Sequence, residues 1–252
     1  MRHVEFLGVP GSGKSTLARA LTTISEKTGQ LWSLDEATRR ALRWLARDRV
    51  TRTLARRLGT NAGRLWKAAY ARTPDRVDAM VDFVTSWPEY VETVLSVQRD
   101  RAGRDVDQDV VLKWVFDLGA QFRLATRVLE TCDILLIDEG FAQRSVAVFG
   151  HGWSGHEVTG LHRYLTTMPR PDRVLFVDTP LSVCQQRLDL SGWPARVASK
   201  RADERLAYLR SANEIVNAVV DVLGSAGVSI ERLDGGASID DACIQARRAL
   251  SI

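Results

Sequence analysis

Short apolar runs alternate with longer stretches of helical period along this chain. Apolar runs at residues 3–7, 30–34, 133–139, 173–178 and 228–233 predict five strands. The run at 133–139 is apolar throughout its centre and closes on carboxylates, which predicts a strand buried on both faces of a parallel sheet. Helical spacing predicts helices at 14–27, 37–47, 141–149, 157–167, 181–190, 203–223 and 239–250, the first of them ended by Gly29. Strands that alternate with helices predict a doubly wound α/β fold: a five-stranded parallel sheet with right-handed crossovers.

Residues 37–131 depart from that alternation and are helical in pattern almost throughout. Val77, Met80, Val81, Val84, Val91, Val94 and Leu95 mark one apolar stripe. Val110, Val111, Trp114, Val115, Leu118, Phe122 and Leu129 mark another. Breaks fall at residues 59–63, Thr73-Pro74, Trp87-Pro88 and Ala102-Gly103. The expected organisation is one domain over residues 1–252, with 37–131 as a helical insert. Trp44, Trp66, Trp87 and Trp114 all fall in that insert and are expected in its core rather than as a wall for a planar ligand.

Composition narrows the picture. With 252 residues, 45% of them hydrophobic, the chain can bury a sizeable core. No apolar run approaches the length of a membrane span. The first residues lead directly into a strand, which leaves no room for a signal peptide. Cys132, Cys184 and Cys243 are scattered and odd in number, as expected of buried reduced thiols in a cytoplasmic protein. The net charge of +4 hides an asymmetry: twelve basic and two acidic residues fall between Arg39 and Arg76. Such a segment fits either an anionic partner or a solvated helical face.

The chemistry centres on Gly8-Val9-Pro10-Gly11-Ser12-Gly13-Lys14-Ser15-Thr16, which fits G-x-x-x-x-G-K-[ST]. It follows a strand and opens a helix, the setting the motif requires. Glycines at 8, 11 and 13 let the main chain curl, so that the amides of Ser12, Gly13, Lys14, Ser15 and Thr16 can face a phosphate at a helix N-terminus. Lys14 would add charge at the outer phosphates, and Ser15 a hydroxyl ligand for Mg²⁺. ATP and Mg²⁺ are thus the expected cofactors.

Carboxylates at neighbouring strand ends extend the site. Asp138 closes the central apolar run, where it would hold the magnesium shell, with Glu139 beside it. Asp35 and Glu36 follow the second strand; one of them is expected to orient and deprotonate an acceptor hydroxyl, and both also suit a helix N-terminus. Arg187 and Arg196, with Lys200, Arg201 and Arg205, flank the Trp193-Pro194 break and form a basic segment, 187–205, expected to fold as a lid over the triphosphate. His151, His156 and His162 have no metal-pair spacing.

The loop, and the run Val174-Leu175-Phe176-Val177-Asp178-Thr179-Pro180 leading to Arg187, resemble the P-loop nucleoside and nucleoside-monophosphate kinases (adenylate, thymidylate and deoxynucleoside kinases). The resemblance covers residues 2–36 and 133–252. It implies a P-loop NTPase fold, Asp138 as the metal-side acid, Asp35 or Glu36 as the base, and Arg187 and Arg196 in the lid. Residues 37–131, with Gln121, Arg123 and Arg127 on their last helix, would face the acceptor. The chain departs from the family after the central strand, where Asp138-Glu139-Gly140 replaces Glu-Arg-Ser or Asp-Arg and the nearest arginine is Arg144. The expected activity is transfer of the γ-phosphoryl group of ATP to a small-molecule acceptor, a nucleoside or nucleotide, with a sugar or antibiotic hydroxyl as the alternative. An NTP-driven ATPase on nucleic acid is a second reading, disfavoured because no RNA-binding motif accompanies the loop. A loop that binds without catalysis is a third. No membrane partner is expected, and a homodimer stays open.

Overall fold

The five strands form where the apolar runs predict them, as β1 (Arg2–Leu7), β2 (Leu31–Ser33), β3 (Ile134–Ile137), β4 (Arg173–Asp178) and β5 (Ser229–Asp234). The computed structural model describes residues 1–25, 30–45, 53, 70, 73–100, 108–150, 153 and 157–252. All strand pairs are parallel, in the order β2-β3-β1-β4-β5. Arg2 to Glu5 pair with Ile134 to Ile137, and Val4 to Leu7 with Arg173 to Phe176. From β1 the chain runs to the edge strand β2, returns to β3 beside β1, and then crosses to β4 and β5 on the other side. The crevice between the carboxyl ends of β1 and β3 is the switch point at which open sheets of this kind bind ligands.

Helices cover both faces: α1 (Lys14–Ser25), α2 (Leu34–Leu45), α3 (Pro74–Ser86), α4 (Pro88–Asp100), α5 (Gln108–Thr126), α6 (Phe141–Phe149), α7 (Val158–Thr167), α8 (Leu181–Ser191), the single turn α9 (Ala195–Ala198), α10 (Ala202–Ser225) and α11 (Ile239–Leu250). Strand side chains alternate between the two layers. Val4, Phe6, Ile134, Leu136, Leu175 and Val177 pack under α1 and α11 with Leu17, Leu21, Cys243 and Ala246. Leu7, Leu135, Ile137, Val174 and Phe176 point the other way, into a larger core with Phe83, Tyr90, Phe122, Phe141, Phe149 and Tyr164. Inside that core the Tyr90 hydroxyl bonds that of Tyr164 at 3.0 Å, which in turn donates to the Phe141 carbonyl at 2.8 Å. These bonds tie α4 and α7 to the start of α6. Among the described residues no helix is long and apolar enough to cross a membrane.

Several expectations shift. The second strand ends at Ser33 instead of residue 34, and α2 starts at Leu34, so Asp35 and Glu36 lie in the first turn of a helix. The cause is local: the Glu36 carboxylate accepts from Ser33 N at 3.0 Å and from Ser33 Oγ at 2.7 Å, while Ser33 Oγ accepts from Glu36 N at 3.3 Å. That reciprocal pair is a capping box. Thr73-Pro74 and Trp87-Pro88 do mark helix starts, Thr73 capping α3 through Asp75 N. The α3 stripe is only half right. Ala79 and Phe83 are buried, whereas Val77 and Val81 are exposed, as is Leu95 on α4. Cys132 is exposed, against expectation, because it sits in the turn before β3 rather than in the strand; Cys184 and Cys243 are buried. Trp44 is exposed as well. Trp66, His151, His156, the breaks at 59–63 and Ala102-Gly103, and most of the basic segment lie outside the described residues.

Candidate functional site

The loop between β1 and α1 is shaped by its glycines. Gly11 and Gly13 have φ of +84° and +100°, a region that side-chain-bearing residues rarely adopt. A Cβ on Gly11 would also stand 2.6 Å from the Cys184 carbonyl. The turn is closed by Ser12 N donating to the Val9 carbonyl at 3.0 Å. It is then braced from three sides. Gln143 on α6 accepts from Gly8 N at 2.9 Å. Thr179, after β4, donates its hydroxyl to the Ser12 carbonyl at 3.1 Å. Arg187 on α8 donates to the same carbonyl at 3.0 Å and to the Gly235 carbonyl at 3.0 Å. Arg187 thus joins the loop to the turn after β5, on a helix ahead of the expected lid break.

Lys14 is buried against the loop, its Nζ 3.5 Å from the Val9 carbonyl. Burial pushes its ammonium below the ordinary lysine range, opposed by the charges of Glu139 and Asp138. Ser15 and Thr16 are exposed at the head of α1. Asp138 opens onto the same space. Burial and then the Glu139 charge push its carboxyl above the usual carboxylate range. Among the described residues no three His, Cys, Asp or Glu side chains form a self-contained metal cage. Magnesium needs none, since it takes oxygen ligands and draws many of them from phosphates and water. The Ser15 hydroxyl and Asp138 carboxylate, on one cavity wall, are a donor set of that kind.

Two cavities meet at Ser15. One, of about 840 Å³, reaches from Ser15, Asp138 and Glu139 past Asp35 to Arg76, Asp117 and Gln121. The other, of about 940 Å³, lies between the loop, α5, α6 and the 192–200 segment, with Val111, Val146, Trp193, Arg196 and Lys200 on its walls. Ser15, Trp114, Glu139 and Arg144 line both.

Asp35 lines the first cavity, whereas the Glu36 carboxylate is held by Ser33. Arg196 lines the second, where its Nη2 donates to the Tyr208 hydroxyl at 2.6 Å. Gln121 faces the first cavity, but Arg123 and Arg127 do not line it: both pair with Asp82 on α3, at 2.8 and 2.9 Å. Sequence reasoning missed the ion cluster beside Gln121, in which Asp117 accepts from Lys113 at 2.7 Å and from Arg76. It also missed Gln143 and the wall role of Trp114. A signal existed for two of these: Trp114 and Asp117 share one face of α5, at helical spacing, with the already named Gln121.

Glu5 explains the sequence after β3. It lies within the sheet, fully buried on the α6 side, and accepts from Phe141 N at 2.9 Å and Ala142 N at 2.7 Å. His3 Nε2 stands 2.9 Å from the same carboxylate. The free amides at the start of α6 are thus satisfied from β1. A Cβ at position 140 would come within 2.2 Å of Glu5 Cδ, which leaves room for glycine alone.

Sheet order and loop together define a P-loop protein of the doubly wound α/β class. No protein-family model and no curated protein matches the chain. Among solved structures it is similar to a deoxyadenosine kinase from M. mycoides with products dCMP and a flexible dCDP bound, at 11% identity and a TM-score of 0.46, covering 99% of this chain and 98% of that one. It is similar also to the same enzyme with bound dATP, at 11% identity and a TM-score of 0.47, covering 100% of each chain.

Proposed function

We propose that this protein is an ATP-dependent phosphotransferase that moves the γ-phosphoryl group of ATP to a hydroxyl of a small acceptor. One observation carries the reading. The cavity that starts at Ser15 and Asp138 continues past Asp35 to Gln121, giving room for an acceptor at the outer end of a bound triphosphate. An enzyme that delivers only water needs no such space.

In the reaction the acceptor oxygen attacks the γ-phosphorus, the bond to the β,γ-bridging oxygen breaks, and ADP leaves. Asp35 is the base that receives the acceptor's proton; Glu36 serves the helix cap. The main-chain amides of residues 12–16 and the Lys14 ammonium hold the phosphates in line. Ser15 and Asp138 would hold Mg²⁺, whose charge offsets that of the phosphates when it is bound. The acceptor cavity balances its own charge: Arg19, Arg76, Lys113 and Arg144 face Asp35, Asp117, Asp138 and Glu139. An uncharged hydroxyl acceptor, such as a nucleoside, sugar or antibiotic, suits that wall better than a phosphorylated one.

The test is ATP consumption across nucleosides, nucleotides and hydroxylated antibiotics, with Lys14→Ala as control. A true acceptor raises turnover in the native protein and leaves the control near background, a loss of roughly 10²-fold or more. Turnover that stays at the control level with every acceptor, yet rises with DNA or RNA, overturns the kinase reading and supports a nucleic-acid-driven ATPase.

A further inference from the structure

Arg144 is the side chain that the loop motif, the strand-end acids and the basic segment all leave without a task. It lies on the first turn and a half of α6, one helical turn beyond Gly140, and lines both cavities together with Ser15. Its charge acts on Lys14 and on Asp138. Three features hold it there. Nη1 pairs with the Glu139 carboxylate at 3.0 Å. The guanidinium carbon lies 5.3 Å from the centre of the Trp114 ring. The helix beneath it is locked to β1 by Glu5. The side chain is only 19% exposed, and its Nε is buried with no hydrogen-bond partner. A buried guanidinium donor without a partner costs free energy. A site tolerates such a donor when a ligand supplies the missing acceptor.

We infer that Arg144 is a catalytic residue that donates to the γ-phosphoryl group during transfer, with Glu139 and Trp114 setting the angle at which it points. The inference rests on the phosphotransferase reading above and adds a member to that site. A guanidinium suits the task because its fork of donors can bond a phosphoryl oxygen and a carboxylate at once. Glu139 then has a role distinct from that of Asp138: it grips the arginine rather than a metal shell.

The test compares binding of Mg·ADP with that of Mg·ATP analogue bearing a β,γ-imido bridge, by calorimetry, in the native protein, Arg144→Ala and Arg144→Lys. The expected result is selective. Arg144→Ala leaves ADP affinity within about twofold and weakens the imido analogue by roughly 10- to 100-fold. Arg144→Lys, which keeps the charge and loses the fork, recovers part of that difference and guards against a folding artefact. Equal weakening of both nucleotides in both variants marks Arg144 as structural and overturns the assignment, as does no change in either. A native protein that binds neither nucleotide instead overturns the phosphotransferase reading itself, so the two failures are told apart.

Discussion

The two sides of Ser15 are built from different materials. On the loop side, the proposed reading gives the binding to main-chain amides and glycine conformations, and side chains from α6, β4 and α8 only brace them: Gln143 on Gly8, Thr179 and Arg187 on Ser12. On the proposed acceptor side the wall is made of long charged side chains held in pairs, Arg76 and Lys113 on Asp117 and Arg144 on Glu139. A main-chain cradle is fixed by the fold and recognises a feature every nucleoside triphosphate shares. A wall of paired side chains can change one residue at a time without disturbing the sheet, which is where acceptor choice can vary.

The sharpest way to break that contrast is at Asp35 and Glu36, neighbours in sequence with different surroundings. Asp35→Asn is expected to lower kcat by about 10²- to 10⁴-fold, the usual contribution of a general base. Glu36→Ala is expected to leave kcat within a few-fold and to lower stability by about 1 kcal/mol, because it removes the carboxylate that closes the capping box on Ser33. Turnover with the acceptor found by the screen, beside urea unfolding of each variant, separates them. Equal kinetic losses would mean that the capping box opens during turnover and that the two acids are not divided as their contacts imply.

Gly140→Ala tests the seam between the two sides. The added methyl meets the buried Glu5 carboxylate, which cannot move without releasing the amides of Phe141 and Ala142. The expected loss is about 3 kcal/mol, read as a lower urea midpoint. A variant as stable as the native protein would show that α6 can slide off β1, and that Gln143 and Arg144 are less firmly placed than their contacts require.

How far each side could be read in advance follows from the same contrast. The loop was legible because main-chain binding demands fixed residues at fixed spacing, Gly8 to Ser15, and the strands were legible because burial on both faces demands unbroken apolar runs such as Ile134–Ile137. The acceptor side was not. Asp117, Arg76 and Lys113 converge from α3 and α5 across 41 positions of sequence, and nothing in either segment names its partner. Arg123 and Arg127 were expected at the acceptor because their helix was right; their face of that helix turns to Asp82 instead. Glu5 was hidden for the opposite reason. One acid within an apolar strand reads as a blemish until the helix start it caps is in view.

Asp117→Asn asks whether the ion cluster serves the acceptor or only the packing of α3 on α5. The side chains of Asp117 and Arg76 are 19% and 20% exposed and that of Lys113 is 67% exposed. The Asp117–Arg76 pair is mostly buried, so stability should fall by about 1 to 2 kcal/mol. If the cluster orients the acceptor, its KM rises about 3- to 10-fold while KM for ATP holds, consistent with the loss of about one hydrogen bond. A change confined to stability would assign the cluster to packing and move acceptor choice to the second cavity, along Trp193 and Arg196.

The smallest effect lies at Asp138, where the two sides meet. Burial and Glu139 raise its carboxyl above the usual range in the folded protein. The folded state therefore holds that proton more tightly than the unfolded chain does. The resulting stability is present in full below the unfolded carboxylate range and is lost as pH rises through the raised folded value. Asp138→Asn has no proton to lose. In EDTA the variant and the native protein should have similar Tm at acid pH, and the variant should gain on the native protein as pH rises toward neutral. Because Asp138 opens onto a cavity, the gain is small, on the order of 1 °C. Magnesium with ATP should reverse the order, since the native carboxylate then has a cation beside it and asparagine offers a weaker ligand. If the native protein is the more stable at neutral pH in EDTA as well, the Asp138 charge is already compensated within the fold, and the acid belongs with the paired wall of the acceptor side instead of the metal side of the loop.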